Sequence, residues 1–359
     1  MFSGRQLHLD GPLLIGLLVL SALGLVVIFS ASGEDWSVMA RQGLRLGISL
    51  VVMVVVAQVS PENLRRFSPH LFVVGVILLV AVLVMGAAGK GAQRWLDLGL
   101  VRFQPSELMK LGVPMVVAWL LTRSQVPPRF AIVLLALALT LIPASLVVVQ
   151  PDLGTAIMLV VSGLFVLFLA GIRWQHVLMM LAAVTAVAPY LWFRLQEYQR
   201  QRILTLFDPW ADPMGSGYQA IQAQIAIGSA GISGKGWLAG SQSHLEFIPE
   251  RSTDFIFAVF AEEFGLIGVL MLLLLYLFVV GRCLVMAYHT RGTFSRLLIG
   301  SLALTFFFYV FVNLGMVSGI LPIVGVPLPL ISYGGTSMLT LMAAFGIIMG
   351  LHARRRLMT

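Results

Sequence analysis

Several short segments carry side chains able to do chemistry. Glu250-Arg251-Ser252-Thr253-Asp254 stands directly before an apolar run that begins at Phe255. A carboxylate placed there, at the membrane surface, can act as a general base. Asp, Ser and Thr are also preferred helix caps, and the helix dipole favours an acid at an N-terminus. Both roles stay open for Asp254. Glu262 and Glu263 lie roughly 12–13 Å further along the same run at 1.5 Å per residue. Acids inside a membrane are costly, so these two are either functional groups or buried partners that fix helix packing.

Phe103-Gln104-Pro105-Ser106-Glu107-Leu108-Met109-Lys110 is a second segment. Ser106 after Pro105 can open a helix, and Glu107 and Lys110, three apart, share a face and can pair. Lys110 can equally reach a phosphate. Arg94-Trp95 lies just upstream, and Gln150-Pro151-Asp152-Leu153-Gly154-Thr155 offers Asp152 as a helix cap. Further on, Arg200, Arg202, Asp208 and Asp212 precede a short apolar stretch, Ala220 to Gly231. That stretch reads as an amphipathic helix lying on a surface, being too short to span. Gly231, Gly234, Gly236 and Gly240 surround Lys235. Such a loop either turns backbone N–H groups onto a phosphate or is a plain surface loop. Between Asn313 and Ser337, Pro322, Pro327 and Pro329 force a non-helical segment, which membrane depth tolerates where it lines a cavity. No His/Cys metal spacing, P-loop or Ser-His-Asp arrangement is present.

The elements that must hold these groups are apolar. Of 359 residues, 59% are hydrophobic and 11% charged, against roughly 25% charged in a soluble domain. Apolar runs occupy 11–30, 43–59, 68–87, 106–122, 130–147, 153–170, 176–195, 255–281, 296–320 and 334–352. The expected fold is an all-α polytopic membrane protein of about ten transmembrane helices, a single membrane domain over 1–359. Its first run is long enough to remain as a span instead of being cleaved. A polar loop fills 88–105, and one long polar segment fills 196–254 between helices 7 and 8. Cys283 is the only cysteine, which excludes a disulfide scaffold.

Ten spans put both termini on one side. That side collects 12 basic residues and two acids, the other 11 basic and 13 acidic, giving +10 and −2 and the net +8. The Arg354–Arg356 cluster and arginines beside short gaps place the termini in the cytoplasm and 196–254 outside. The net charge therefore reflects orientation, and no nucleic-acid partner is implied. Orientation does not account for Lys90, Arg94, Arg102, Arg200, Arg202, Lys235 and Arg251 facing outward. An anionic ligand, with phosphate the natural choice, does.

Two stretches are specific: Pro249–Gly265 (PERSTDFIFAVFAEEFG) and Asn313–Ser337 (NLGMVSGILPIVGVPLPLISYGGTS). With Arg94 to Lys110, Gln150 to Thr155 and Arg202 to Gly268, they resemble the SEDS family (shape, elongation, division and sporulation proteins). Gly240–Phe255 and the short N-terminal tail resemble its elongation branch. Gln224 departs from the serine of many relatives. The resemblance implies a peptidoglycan glycosyltransferase in the bacterial plasma membrane. It would polymerise lipid II, an undecaprenyl-pyrophosphate disaccharide-pentapeptide, beside a class B penicillin-binding protein and other elongation-complex membrane proteins. The family's essential aspartate falls on Asp254, its helix-4 pair on Glu107 and Lys110, and its loop arginine on Arg202. Arg94 and Lys235 join these as candidate substrate ligands. The resemblance further implies a divalent metal, Mg or Mn, and no organic cofactor. A lipid II flippase and a non-catalytic scaffold for the penicillin-binding protein are the alternatives.

Overall fold

A computed structural model describes residues 8–89, 92–97, 102–125, 127–215, 217–241 and 250–354. Each of the ten apolar runs forms a helix. In chain order these are α1 (Gly11–Ala31), α2 (Trp36–Ala57), α3 (Pro61–Met85), α4 (Pro105–Leu121), α5 (Phe130–Val149), α6 (Leu153–Leu169) and α7 (Trp174–Arg194). Two short helices follow, α8 (Glu197–Phe207) and α9 (Tyr218–Ser229), then α10 (Ile256–His289), α11 (Thr293–Val317) and α12 (Thr336–Ala353). The chain is a multi-pass membrane protein. Seven described helices (α1, α2, α3, α5, α10, α11 and α12) are individually long and apolar enough to cross a bilayer. At 17 residues each, α4 and α6 reach only about 26 Å, short of the roughly 30 Å hydrocarbon core.

The 88–105 loop contributes something composition did not announce. Ala87–Gly89 (β1), Ala92–Asp97 (β2) and Arg102–Phe103 (β3) form a small antiparallel sheet in the order β1-β2-β3. It delivers Arg94 and Trp95 to the start of α4.

Local sequence explains the helix ends. Asp10, Asp35, Ser60 and Asp152 each cap a helix through the side chain. Helix α4 opens differently from the expectation: Gln104 is the N-cap and makes no side-chain cap bond, while Pro105 takes the first turn, where its missing N–H costs nothing. At the far end of the bundle Asp10 also receives Arg282 Nη2 at 2.6 Å and Nε at 3.0 Å. Partial burial pushes this carboxyl up, but the Arg282 bonds and charge and the Leu13 N–H outweigh it and hold it below the usual carboxylate value.

Close helix packing runs through small residues. Gly346 and Gly350, four apart on α12, sit so near the Met53 and Ala57 carbonyls of α2 that a Cβ at either position would overlap them. Membrane helices commonly meet through such small-xxx-small faces. Helix α11 is largely enclosed, packed against α4, α6, α10 and α12.

Candidate functional site

The proline-rich segment between α11 and α12 is non-helical over 318–335. It is nonetheless buried at Val326, Leu328, Leu330, Ile331 and Ser332. Its polar groups hold the turn that precedes α10. Tyr333 N–H donates to the Ser252 carbonyl at 2.8 Å, and Ser332 Oγ donates to the Thr253 carbonyl at 2.6 Å. Asn313 Nδ2 bridges the Asp254 carbonyl at 2.9 Å and the Val326 carbonyl at 2.7 Å. Buried main-chain groups must be paired, and here the pairing ties two distant loops into one wall.

Asp254 is half-buried in that turn. Helix α10 starts at Ile256 with Phe255 as N-cap and without a side-chain cap bond. The cap position thus belongs to Phe255, and Asp254 lies one residue outside. An ideal Cβ at Gly325 would come 3.4 Å from Asp254 Oδ2, so the Pro-rich segment passes directly by the carboxylate.

A cleft of about 1420 Å³ opens in front of it. Asp254, Glu107, Arg94, Arg202, Trp95 and Asp152 all line it. They come from several elements, Arg94 and Trp95 together from β2. Arg94, from β2, donates through Nε to the Gln150 carbonyl at 3.2 Å and through Nη2 to the Pro151 carbonyl, and its Nη1 lies 3.9 Å from Asp152. Arg202, from α8, is exposed and stacks its guanidinium 5.8 Å from the Tyr198 ring centre. Lys110 does not line this cleft: its Nζ donates to Glu107 Oε1 at 2.6 Å and sits 5.3 Å from the Tyr309 ring centre, so it reaches the cleft only through Glu107. Glu107 Oε2 is buried without a hydrogen-bond partner among the described residues. Together these groups can take a proton from a hydroxyl at one side of the cleft and stabilise developing negative charge at another.

The FtsW/RodA/SpoVE cell cycle protein family matches residues 11–357. This chain is a SEDS protein. It is 52% identical over 355 residues to the peptidoglycan glycosyltransferase MrdB of Escherichia coli K12, covering 99% of this chain and 96% of that one. A probable peptidoglycan glycosyltransferase FtsW of Escherichia coli O6:H1 is 36% identical, covering 94% and 84%. Among solved structures, a chain from a peptidoglycan synthase complex that coordinates polymerization and crosslinking superposes with a TM-score of 0.86 at 34% identity, covering 96% and 98%. The rod shape determining protein RodA of Thermus thermophilus gives 0.74 at 31% identity, covering 96% and 97%.

Within the SEDS fold, Lys235 is placed apart from the cleft. Its Nζ donates to Glu262 Oε1 at 2.6 Å and to Ser241 Oγ at 2.8 Å. Two N–H groups of the glycine-rich loop around it, those of Lys235 and Gly236, meet helix α10. That helix is broken at Gly265, whose φ is 64°. In an unbroken helix Leu266 and Ile267 would donate to Glu262 and Glu263. Instead they donate to the Gly231 and Ile232 carbonyls at 3.2 and 3.1 Å. Lys235 and Gly236 N–H then fill the vacated Glu262 and Glu263 carbonyls, each at 3.0 Å. The loop is inserted into the helix ladder and satisfies all four groups. Glu262 and Glu263 are buried here, Glu263 accepting from Ser30 Oγ.

This clasp makes a prediction. Gly234 has φ 77°, and a Cβ there would overlap the Glu263 carbonyl. Gly234→Ala is expected to cost about 2–4 kcal/mol, read as a lowered melting midpoint in detergent. An unchanged midpoint would show that the inserted loop contributes nothing to holding the helix break.

The SEDS chain also carries site residues that local motifs missed. Arg45 of α2 lines the cleft with its guanidinium 4.5 Å from the Tyr333 ring centre. Its signal was present: a cation within an apolar run, the same rule that singled out Glu262. Tyr198, which stands under Arg202 and donates to the Pro151 carbonyl at 3.4 Å, had no such signal. Residues 242–249 and Lys90 lie outside the described residues. Among the described residues no group of three or more His, Cys, Asp or Glu side chains converges to hold a metal. The expected divalent ion therefore has no ready-made set of three such protein ligands among the described residues.

Proposed function

We propose that this chain is a peptidoglycan glycosyltransferase of cell elongation that polymerises lipid II, with Asp254 as base. The observation that carries this reading is the joint lining of one cleft by Asp254, Glu107, Arg45, Arg94 and Arg202. The names of its relatives support the same reaction, and the complex solved for one of them supports a penicillin-binding partner. That partner is a class B penicillin-binding protein, with other elongation-complex membrane proteins beside it. The termini face the cytoplasm and the cleft opens on the other side.

The chemistry follows from the bond made. Converting an α-linked donor into a β-1,4 linkage inverts the anomeric centre in a single displacement. The acceptor hydroxyl attacks opposite the leaving diphosphate as Asp254 takes its proton. Inverting glycosidases use a carboxylate base in the analogous position. A leaving diphosphate needs charge stabilisation more than a proton. Arg94 and Arg202 supply it, while Lys110 pairs with Glu107 of the cleft wall. Arginine's planar fork suits phosphate oxygens.

The test is polymerisation of purified lipid II by the chain co-purified with its class B penicillin-binding protein, with and without chelator. Glycan strands are the expected product, and the chelator arm reads the metal dependence. Movement of lipid II across vesicles without any polymer would replace this reading with the flippase.

A further inference from the structure

A second cleft, of about 520 Å³, opens beside the first. The two share Tyr198, Arg202, Gln219 and Ile323 on their walls. The second is bounded by α8, α9 and the 316–323 stretch. Its polar wall differs in kind from that of the main cleft. It carries the amides of Gln201, Gln219 and Gln224 and the phenols of Tyr198 and Tyr218, over an apolar floor that includes Met316 and Leu321. Among the described residues no acid lines it, and Arg202 at the shared edge is its one charge. The wall thus offers neutral hydrogen-bonding groups, with one charged partner for an anion at the rim.

Amide side chains each offer a carbonyl acceptor and two N–H donors. Such groups match ligands whose hydroxyl and acetamido groups donate and accept, while aromatic rings and apolar floor take carbon faces. Gln224 has room built for it. Gly319 has φ 75°, and a Cβ there would overlap the Gln224 amide nitrogen. Gln224 and Gln201 are exposed, while Tyr218 and Gln219 are half-buried.

We infer that this second cleft is a saccharide subsite that holds the sugars of the growing strand while its lipid end stays in the main cleft. The inference rests on the polymerase reading. It explains the continuity through Arg202: the arginine marks the passage from the charged diphosphate region to a neutral region for sugars. A strand held there remains bound after each addition, so the subsite governs strand length.

Two arms test this on the full chain, in complex with its penicillin-binding protein. The first measures equilibrium binding of a lipid-free, peptide-free tetrasaccharide of alternating β-1,4-linked N-acetylhexosamines. The second measures mean strand length made from lipid II. Gln201→Ala/Gln224→Ala is expected to weaken tetrasaccharide binding about tenfold through two lost hydrogen bonds, and to shorten strands several-fold. Both positions are exposed, and a thermal melt verifies that the variant folds. Gln222→Ala, on the same helix but outside both clefts, is expected to match wild type in both arms. Wild-type binding undetectable at millimolar tetrasaccharide overturns the subsite. So does a double variant indistinguishable from wild type in both arms, or an equal loss in Gln222→Ala. If wild type makes no polymer, the polymerase reading fails, and the tetrasaccharide arm alone decides whether the cleft binds sugar.

Discussion

Asp254→Asn is expected to lower lipid II polymerisation by about 10²–10⁴-fold, the range for loss of a positioned general base. Asparagine matches aspartate in shape but cannot take the hydroxyl proton. The turn should persist, because its clamps reach main-chain carbonyls. Tyr333, Ser332 and Asn313 bond to the carbonyls of Ser252, Thr253 and Asp254 in that order. The assay compares wild type and variant co-purified with the same penicillin-binding protein, with matched melting midpoints. Polymerisation by the Asn variant at a rate near wild type would remove Asp254 as base. Glu107, Glu250 and Asp152, the other acids lining the cleft, would then be the groups to test.

Lys110→Met is expected to reduce both stability and activity, and the two losses can be separated. Glu107 is 6% exposed, with Lys110 as the hydrogen-bond partner of Oε1 and none for Oε2 among the described residues. Removing the ammonium leaves a buried carboxylate without its counter-charge, which typically costs about 3–5 kcal/mol. Adding Glu107→Gln neutralises that charge, so the double variant should regain most of the lost melting midpoint. On the proposed reading it should not regain polymerisation, since the positive charge that Lys110 places beside Glu107 is still missing. A double variant with wild-type polymerisation would make the pair a packing device only.

The sequence was most informative where the signal is local. Ten apolar runs gave ten helices because apolar side chains and internally paired backbones are both demanded by a bilayer. Asp152 as the cap of α6 was legible from one residue and its neighbours. Three prolines marked 318–335 as non-helical, and that segment does wall the cleft. The Glu107–Lys110 pair was legible from three-residue spacing on a helix.

Other assignments depended on partners far along the chain. Helical phase could not tell whether Asp254 caps α10, because the helix starts one residue later than the apolar run suggests. The clamps from Asn313 and Ser332 decide that, 59 and 79 residues away. The glycines around Lys235 looked suited to a phosphate, yet the Lys235 and Gly236 N–H groups and the Gly231 and Ile232 carbonyls close a helix break at Gly265. A broken ladder leaves four backbone groups that must be paired somewhere, and only the fold shows that this loop arrives to pair them. Lys235 was drawn away from the cleft for the same reason: Glu262 is buried, and a buried carboxylate needs a cation more than an exposed surface does. Composition and periodicity thus determined the helices and which residue types could act. Which of those residues share a cleft was decided by tertiary packing, because hydrogen bonds and charge pairs between distant segments leave no period in the chain.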